Sequence, residues 1–185
     1  MDPLSKRLAF LEEFDRSREV SHLRRSEWPE EFPVKHALWN IPKATANLLG
    51  RLVKKKQPKR ILELGTSAGY SALTMLQACP AAELHTVDAS PSRGAMAKES
   101  FAAAKVQVNF YHEKIKTVLS RWDLPLDFVF IDANKPKYLE FFKQLEPYLN
   151  EGAIVAIDNM LDDRHKTDPL LRYARSNYAC DLVGI

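Results

Sequence analysis

The apolar runs constrain the fold most. "RILEL" at 60–64, "ELHTVDA" at 83–89, "VQVNFY" at 106–111, "LDFVFIDA" at 126–133 and "AIVAID" at 153–158 are short and rich in branched and aromatic residues. A strand that shows one face to water alternates polar and apolar residues, whereas a continuously apolar strand is covered on both faces. Helical stretches separate these runs: 43–56, 70–78, 91–103, 114–121, 137–149 (closed by Asn150 and Gly152) and 168–177. Strand and helix in alternation predict an α/β fold, a mostly parallel sheet with helices on both faces and right-handed crossovers. The tail "CDLVGI" reads as the start of a sixth strand.

Two segments precede this core. The first 20 or so residues place Leu4, Leu8, Leu11 and Phe14 at helical spacing. "SEWPEEFPVKHALWNIPK" follows, where Pro29, Pro33 and Pro42 interrupt helix. Trp28, Phe32 and Trp39 either line a pocket or pack this segment onto the core. With 185 residues the chain is expected to form one domain, an N-terminal segment 1–42 on an α/β core 43–185.

No apolar run approaches the roughly 18 residues that span a membrane. The amphipathic N-terminus has no apolar signal-peptide core, so a cytoplasmic protein is expected. Cys79 and Cys180 form no C-x-x-C pair and read as small buried hydrophobes. Met75 and Met96 likewise read as core, and His22, His36, His85, His112 and His165 lack metal-ligand spacing. One basic cluster stands out, Lys54-Lys55-Lys56 followed by Lys59-Arg60. It reads either as the dipole-complementing end of a helix or as a contact for RNA or another polyanion.

Ligands of parallel sheets bind beyond the carboxyl ends of the strands. Those ends carry Glu63 and Gly65, Asp88, Glu113, Asp132, and Asp158 with Asn159. One acid at a strand end is commonly the cap of the next helix. Five on one edge repel one another unless a cation or hydrogen-bond donors lie between them. Glu63 is the most telling, because a carboxyl in a buried strand is costly without partners. Behind it Gly65 and Gly69 are spaced G-x-x-x-G, without the G-x-G that brings a backbone against a pyrophosphate. This loop suits a nucleoside cofactor that lacks phosphates.

"ILELGTSAGYSAL", "TVDAS", "DFVFIDANKPKY" and "GAIVAIDNML" resemble, in order and spacing, the S-adenosylmethionine-dependent O-methyltransferases of the catechol and caffeoyl-CoA type, over about 41–159. The resemblance implies a Rossmann-like class I methyltransferase fold. It also implies that Gly65 holds the methionine part of the cofactor, with Glu63 beneath it and Ser71 and the backbone of Ile41 on the carboxylate. Asp88 would hold the ribose and Glu113 would border the adenine, with Asp132 also at the cofactor. Asp132, Asp158 and Asn159 match the family's metal ligands, and Lys135 its catalytic lysine. Tyr138, one turn on, is expected to pack or bond near this site. The chain departs from the pattern at His112-Glu113-Lys114, where the family commonly has G-D-A. It also stops at "DLVGI", before the last antiparallel strand of such enzymes. An open edge at strand five is therefore expected, from truncation or with a partner filling the gap.

The resemblance points to a Mg²⁺-dependent O-methyltransferase of a catechol-like small molecule. Two alternatives remain: a methyltransferase of hydroxylated tRNA uridine, using the Lys54–Arg60 cluster, and a non-catalytic S-adenosylmethionine-binding or assembly protein. A homodimer is expected from the resemblance.

Overall fold

A computed structural model describes residues 1–16, 40–161 and 164–184. Its centre is a parallel sheet of β1 (Arg60–Leu64), β2 (Glu83–Val87), β3 (Asn109–Tyr111), β4 (Leu126–Ile131) and β5 (Leu149–Ile157). The spatial order is β3-β2-β1-β4-β5. The chain builds outward from β1 through β2 to β3, then returns to the other side of β1 for β4 and β5. The order reverses between β1 and β4, where a crevice opens above the sheet.

Side chains alternate across each strand, and this sorts the core into two layers. Ile61, Leu84, Phe128 and Phe130 pack on one face. That face is covered by α1 (Pro3–Arg16), α2 (Lys43–Lys56), α3 (Tyr70–Ala78) and α4 (Pro91–Ala104). Leu62, Leu64, Val129 and Ile131 pack on the other. There the cover is α5 (Ile115–Leu119), α6 (Tyr138–Leu145) and α7 (Arg164–Asn177). The alternation puts Glu63 on the same face as Ile61, directed into the layer of α3. This is the α/β architecture expected from the sequence.

Several boundaries differ from the sequence reading. β3 is confined to Asn109–Tyr111 and α5 to Ile115–Leu119. Helix α6 stops at Leu145, where a 3₁₀ turn over Glu146–Tyr148 carries Pro147. Asn150 and Gly152 therefore do not close the helix but lie in β5. There the register against β4 slips, from Leu126↔Leu149 to Phe128↔Ile154, and Gly152 takes φ +67° within the bulge. Helix α7 begins at Arg164 rather than 168 and contains Pro169. The tail forms no sixth strand among the described residues, since no neighbouring strand pairs with it, and Cys180 is exposed rather than buried.

Leu8 and Leu11 bury the inner face of α1, as their spacing predicts. Pro29, Pro33, Trp28, Phe32, Trp39, His22, His36 and the side chain of Phe14 lie outside what the structure describes. Lys54, Lys55 and Lys56 form the last turn of α2. Lys56 lies near Asp127 at the start of β4, on the sheet edge opposite the crevice. Among the described residues, no helix is long and apolar enough to cross a membrane.

Candidate active site

A cleft of about 870 Å³ lies over the carboxyl ends of β1, β2, β4 and β5. Its first wall is the turn after β1. Gly65 has φ +105°, and a Cβ there would stand 1.9 Å from the carbonyl oxygen of Asp132. Only glycine lets the β1 and β4 turns meet this closely. Gly69 has φ +88°, with the Phe101 ring 2.8 Å from where its Cβ would be. The turn is tied to β2 through Asp88. Ser67 N–H donates to Asp88 Oδ2 (3.0 Å), Ser90 N–H to Oδ1 (2.8 Å), and Arg93 Nε reaches Oδ2 at 3.4 Å. Asp88 is 8% exposed and lines the cleft.

Beneath this turn lies Glu63, fully buried. Ser71 Oγ at the start of α3 is 2.5 Å from Glu63 Oε1, and Thr86 Oγ1 on β2 bonds Oε2. Thr86 in turn shares a hydrogen bond of 2.6 Å with Thr66 Oγ1. Burial pushes the Glu63 carboxyl up to about 8; the two hydroxyls oppose the rise, while Asp132 and Asp88 add to it. The group is therefore a neutral acid at neutral pH.

The second wall comes from β4 and β5. Asp132 N–H donates to Leu64 O (2.9 Å) and Asp158 N–H to Ile131 O (3.0 Å), so the sheet's bonding continues to the residues that bear these carboxyls. Burial first, then the neighbouring Asp158, raises Asp132 to about 6, against the opposing charge of Lys135. Asn159 sits in the left-handed region at φ +57°, which asparagine tolerates. Lys135 opens a 3₁₀ turn over Lys135–Lys137. Ala133 N–H donates to Tyr138 Oη at 3.2 Å, and the buried Tyr138 pins this turn to α6. Asp132, Lys135, Asp158 and Asn159 all line the cleft. Among the described residues, no three His, Cys, Asp or Glu side chains are grouped to hold a metal ion. The oxygen donors gathered here are two carboxyls and one amide.

The structure thus gathers Ile41, Gly65, Ser71, Asp88, Asp132, Lys135, Asp158 and Asn159 around one cleft, with Glu63 under its floor. It does not bring in Glu113. That side chain points away to Arg121, which holds it with two bonds of 2.6 and 2.9 Å in an exposed pair. The next residue, Lys114, lines the cleft instead. Sequence reasoning also missed Arg93, Asn40 and Tyr70 in the lining. Tyr70 directly follows Gly69, and its hydroxyl donates to Glu12 on α1 at 2.9 Å. Its place behind the glycine turn was the one available sign.

Comparison with known proteins agrees with this geometry. A family described as O-methyltransferase matches residues 18–171. The catechol O-methyltransferase of Niastella koreensis is 34% identical over 131 residues, 64% of this chain and 59% of that enzyme. The chain thus spans well under two thirds of that relative's length. The O-methyltransferase TomG from Streptomyces achromogenes, solved with SAM, superposes with a TM-score of 0.64 at 27% identity, over 96% of this chain and 70% of that one. An SAH-bound methyltransferase from Podospora anserina shares the fold with a TM-score of 0.74 at 20% identity, over 99% of this chain and 82% of that one. The chain belongs to the S-adenosylmethionine-dependent O-methyltransferase family of the catechol and caffeoyl-CoA type.

Proposed function

We propose that this chain transfers the methyl group of S-adenosylmethionine to a hydroxyl of a catechol-like small molecule, with a divalent cation such as Mg²⁺. The observation that supports the reading most is the meeting of two unlike walls in one cleft: the Gly65 turn with Asp88, and Asp132, Asp158 and Asn159 with Lys135. On the first wall the methionine part of the donor lies against Gly65, and Asp88 accepts from the ribose hydroxyls. Its carboxylate has about four acceptor positions, of which the backbone and Arg93 bonds use three.

On the second wall the donor set fits a hard cation. Asp132 and Asp158 repel one another, and only oxygen donors are offered. Asp132, Asp158 and Asn159 would hold the cation; when bound, it supplies electrostatic stabilisation of negative charge on a phenolic oxygen. Lys135, once it has given up its own proton to solvent, takes the proton of the acceptor hydroxyl. The oxygen then attacks the methyl carbon in line, and the carbon–sulfur bond breaks to leave a neutral thioether. Holding donor and acceptor between the two walls supplies much of the acceleration.

A tRNA acceptor draws no support from the basic cluster, which stands at the opposite edge of the sheet. The test is methyl transfer from S-adenosylmethionine to catechol by the purified chain with Mg²⁺. The reading expects a mono-O-methylated product, lost on chelation and in Lys135→Ala. Binding of S-adenosylmethionine without transfer to any vicinal diol would instead favour the non-catalytic alternative. The homodimer is proposed on the family resemblance, and sedimentation velocity decides it.

A further inference from the structure

The mechanism leaves the buried carboxyl of Glu63 unused. Glu63 is fully enclosed, and its partners among the described residues are two hydroxyls, Ser71 Oγ and Thr86 Oγ1. Among the described residues no lysine, arginine or histidine bonds it, and the charged groups that face it are both acids, Asp88 beyond β2 and Asp132 beyond β4. Of the two hydroxyls, Thr86 is fully buried, whereas Ser71 is 8% exposed and lines the cleft. Whatever Glu63 does to Ser71 is therefore felt by the ligand.

The proton count of this small network has three complete solutions, one with Glu63 ionised and two with it protonated. Each hydroxyl has one proton to give, and an ionised carboxylate has none. With Glu63 ionised, Ser71 donates to Oε1, Thr86 to Oε2 and Thr66 to Thr86. All three contacts are satisfied, and Ser71 offers only lone pairs to the cleft. With Glu63 protonated, Glu63 donates to Ser71, Thr86 still donates to Oε2 and Thr66 to Thr86. The same contacts are satisfied, and the Ser71 proton is released toward the cleft. With the proton on Oε2 instead, Glu63 donates to Thr86, Thr86 to Thr66, and Ser71 still donates to Oε1; an anion in the cleft selects the arrangement that frees the Ser71 proton.

We infer that Glu63 is a positioning residue for the methyl donor: as a carboxylic acid it donates to Ser71 and makes that hydroxyl a donor to the amino-acid carboxylate of the ligand, and as a carboxylate it makes the same hydroxyl an acceptor that repels it. The inference rests on the proposed function, since it needs a ligand that carries a carboxylate. It also explains why an acid with no cationic partner is held beneath the turn. A neutral Glu63 adds no charge opposing an anion, whereas an ionised one adds repulsion at short range. Its carboxyl lies at about 8, so the protonated form, from which Ser71 can turn to the ligand, prevails at neutral pH. Ligand binding then draws in a proton as the pH passes that value.

The experiment is calorimetric titration of the full chain with S-adenosylhomocysteine from about pH 6.5 to 9.5, in buffers of different ionisation enthalpy. The wild type is compared with Glu63→Gln, whose amide donates to Ser71 at every pH. In the wild type, affinity falls about tenfold for each pH unit above the Glu63 value, with uptake of a proton on binding. In Glu63→Gln that component disappears, and only the titration of the ligand's own amino group remains. Ser71→Ala, which leaves the buried carboxyl in place, binds more weakly at neutral pH and loses the part of that component that passes through the hydroxyl, keeping only the direct repulsion. Identical pH profiles and proton uptake in the wild type and Ser71→Ala would overturn the inference, whether or not Glu63→Gln folds. If the folded wild type binds no S-adenosylhomocysteine at any pH, the proposed function itself is overturned, and this inference with it.

Discussion

Replacing Gly65 by alanine would place a methyl carbon 1.9 Å from the carbonyl oxygen of Asp132 and 2.8 Å from its carbonyl carbon. Both are backbone atoms, and the Asp132 N–H is bonded to Leu64 O at 2.9 Å, so the obstacle cannot swing aside as a side chain would. Opening the contact from 1.9 Å to the 3.0 Å that real Cβ atoms respect requires the β1 and β4 turns to part by more than 1 Å. The backbone is unfavourable as well, because φ +105° is rarely adopted by a residue with a Cβ. Positive φ costs an L residue about 1–2 kcal/mol, and forced overpacking about 1–3 kcal/mol. Together they predict a loss of about 2–5 kcal/mol, against a total of about 5–15 kcal/mol for an ordinary domain. Urea unfolding followed by circular dichroism reads the stability, and calorimetry with S-adenosylhomocysteine reads the site in the folded fraction. The expected result is a lower urea midpoint together with binding weakened by about tenfold or more, since Asp132 moves with the contact. A variant within about 0.5 kcal/mol of wild type and with unchanged affinity would refute the claim that the two turns are locked together.

Gly50, inside α2, offers the opposite case. The nearest atom to an added Cβ is Thr74 Cγ2 at 3.8 Å, so Gly50→Ala should raise stability by about 0.5–1 kcal/mol, read from the urea midpoint. Asp158→Ala should lower methyl transfer to catechol by on the order of a hundredfold or more, while S-adenosylhomocysteine affinity stays within a few-fold. Equal loss of both would count against a role confined to the second wall. Asp88→Ala should weaken S-adenosylhomocysteine binding by about tenfold or more; unchanged affinity would make Asp88 only the clasp of the Ser67 and Ser90 amides. Stability should also depend on pH through Glu63. Its carboxyl rises from 4.5 to about 8 on folding, so between those values the folded chain holds a proton that the unfolded chain has released. Stability therefore falls as pH rises through that window, and Glu63→Gln should flatten the slope of urea midpoint against pH.

What the sequence disclosed follows from how far each determinant reaches along the chain. The strands and their shared edge were legible because continuous apolar runs and strand-end acids are local features. The end of α6 was misjudged because Gly152 looks like a helix stop, although Pro147 had already turned the chain within Glu146–Tyr148. The sixth strand failed for a different reason: a strand exists only with a partner, and among the described residues no neighbour pairs with the tail. Glu113 shows the limit most clearly. β3 ends at Tyr111, so His112, Glu113 and Lys114 belong to a turn where no periodicity fixes which side chain points inward. Arg121, on the far side of α5, draws Glu113 outward and leaves Lys114 to the cleft.

The same local rule, an acid at a strand's end, yields three chemistries here, and partners from other elements decide among them. Asp88 is met by two backbone amides and Arg93, and it organises the turn it touches. Asp132 and Asp158 leave neighbouring strands together; each raises the cost of the other's charge, a cost that a bound cation would relieve. Glu63 is two residues further inside its strand, level with Thr86 and Phe130, on the face that α3 covers, and it meets only hydroxyls. Moving a carboxyl by one residue along β1 would turn it to the opposite face, among Leu62, Leu64 and Val129, with no hydroxyl to meet it. Depth along the strand thus sets which acid faces the cleft and which lies beneath it, and the strand's period ensures that the deeper one meets hydroxyls. Burial then makes the lower one a neutral proton donor rather than one more negative charge.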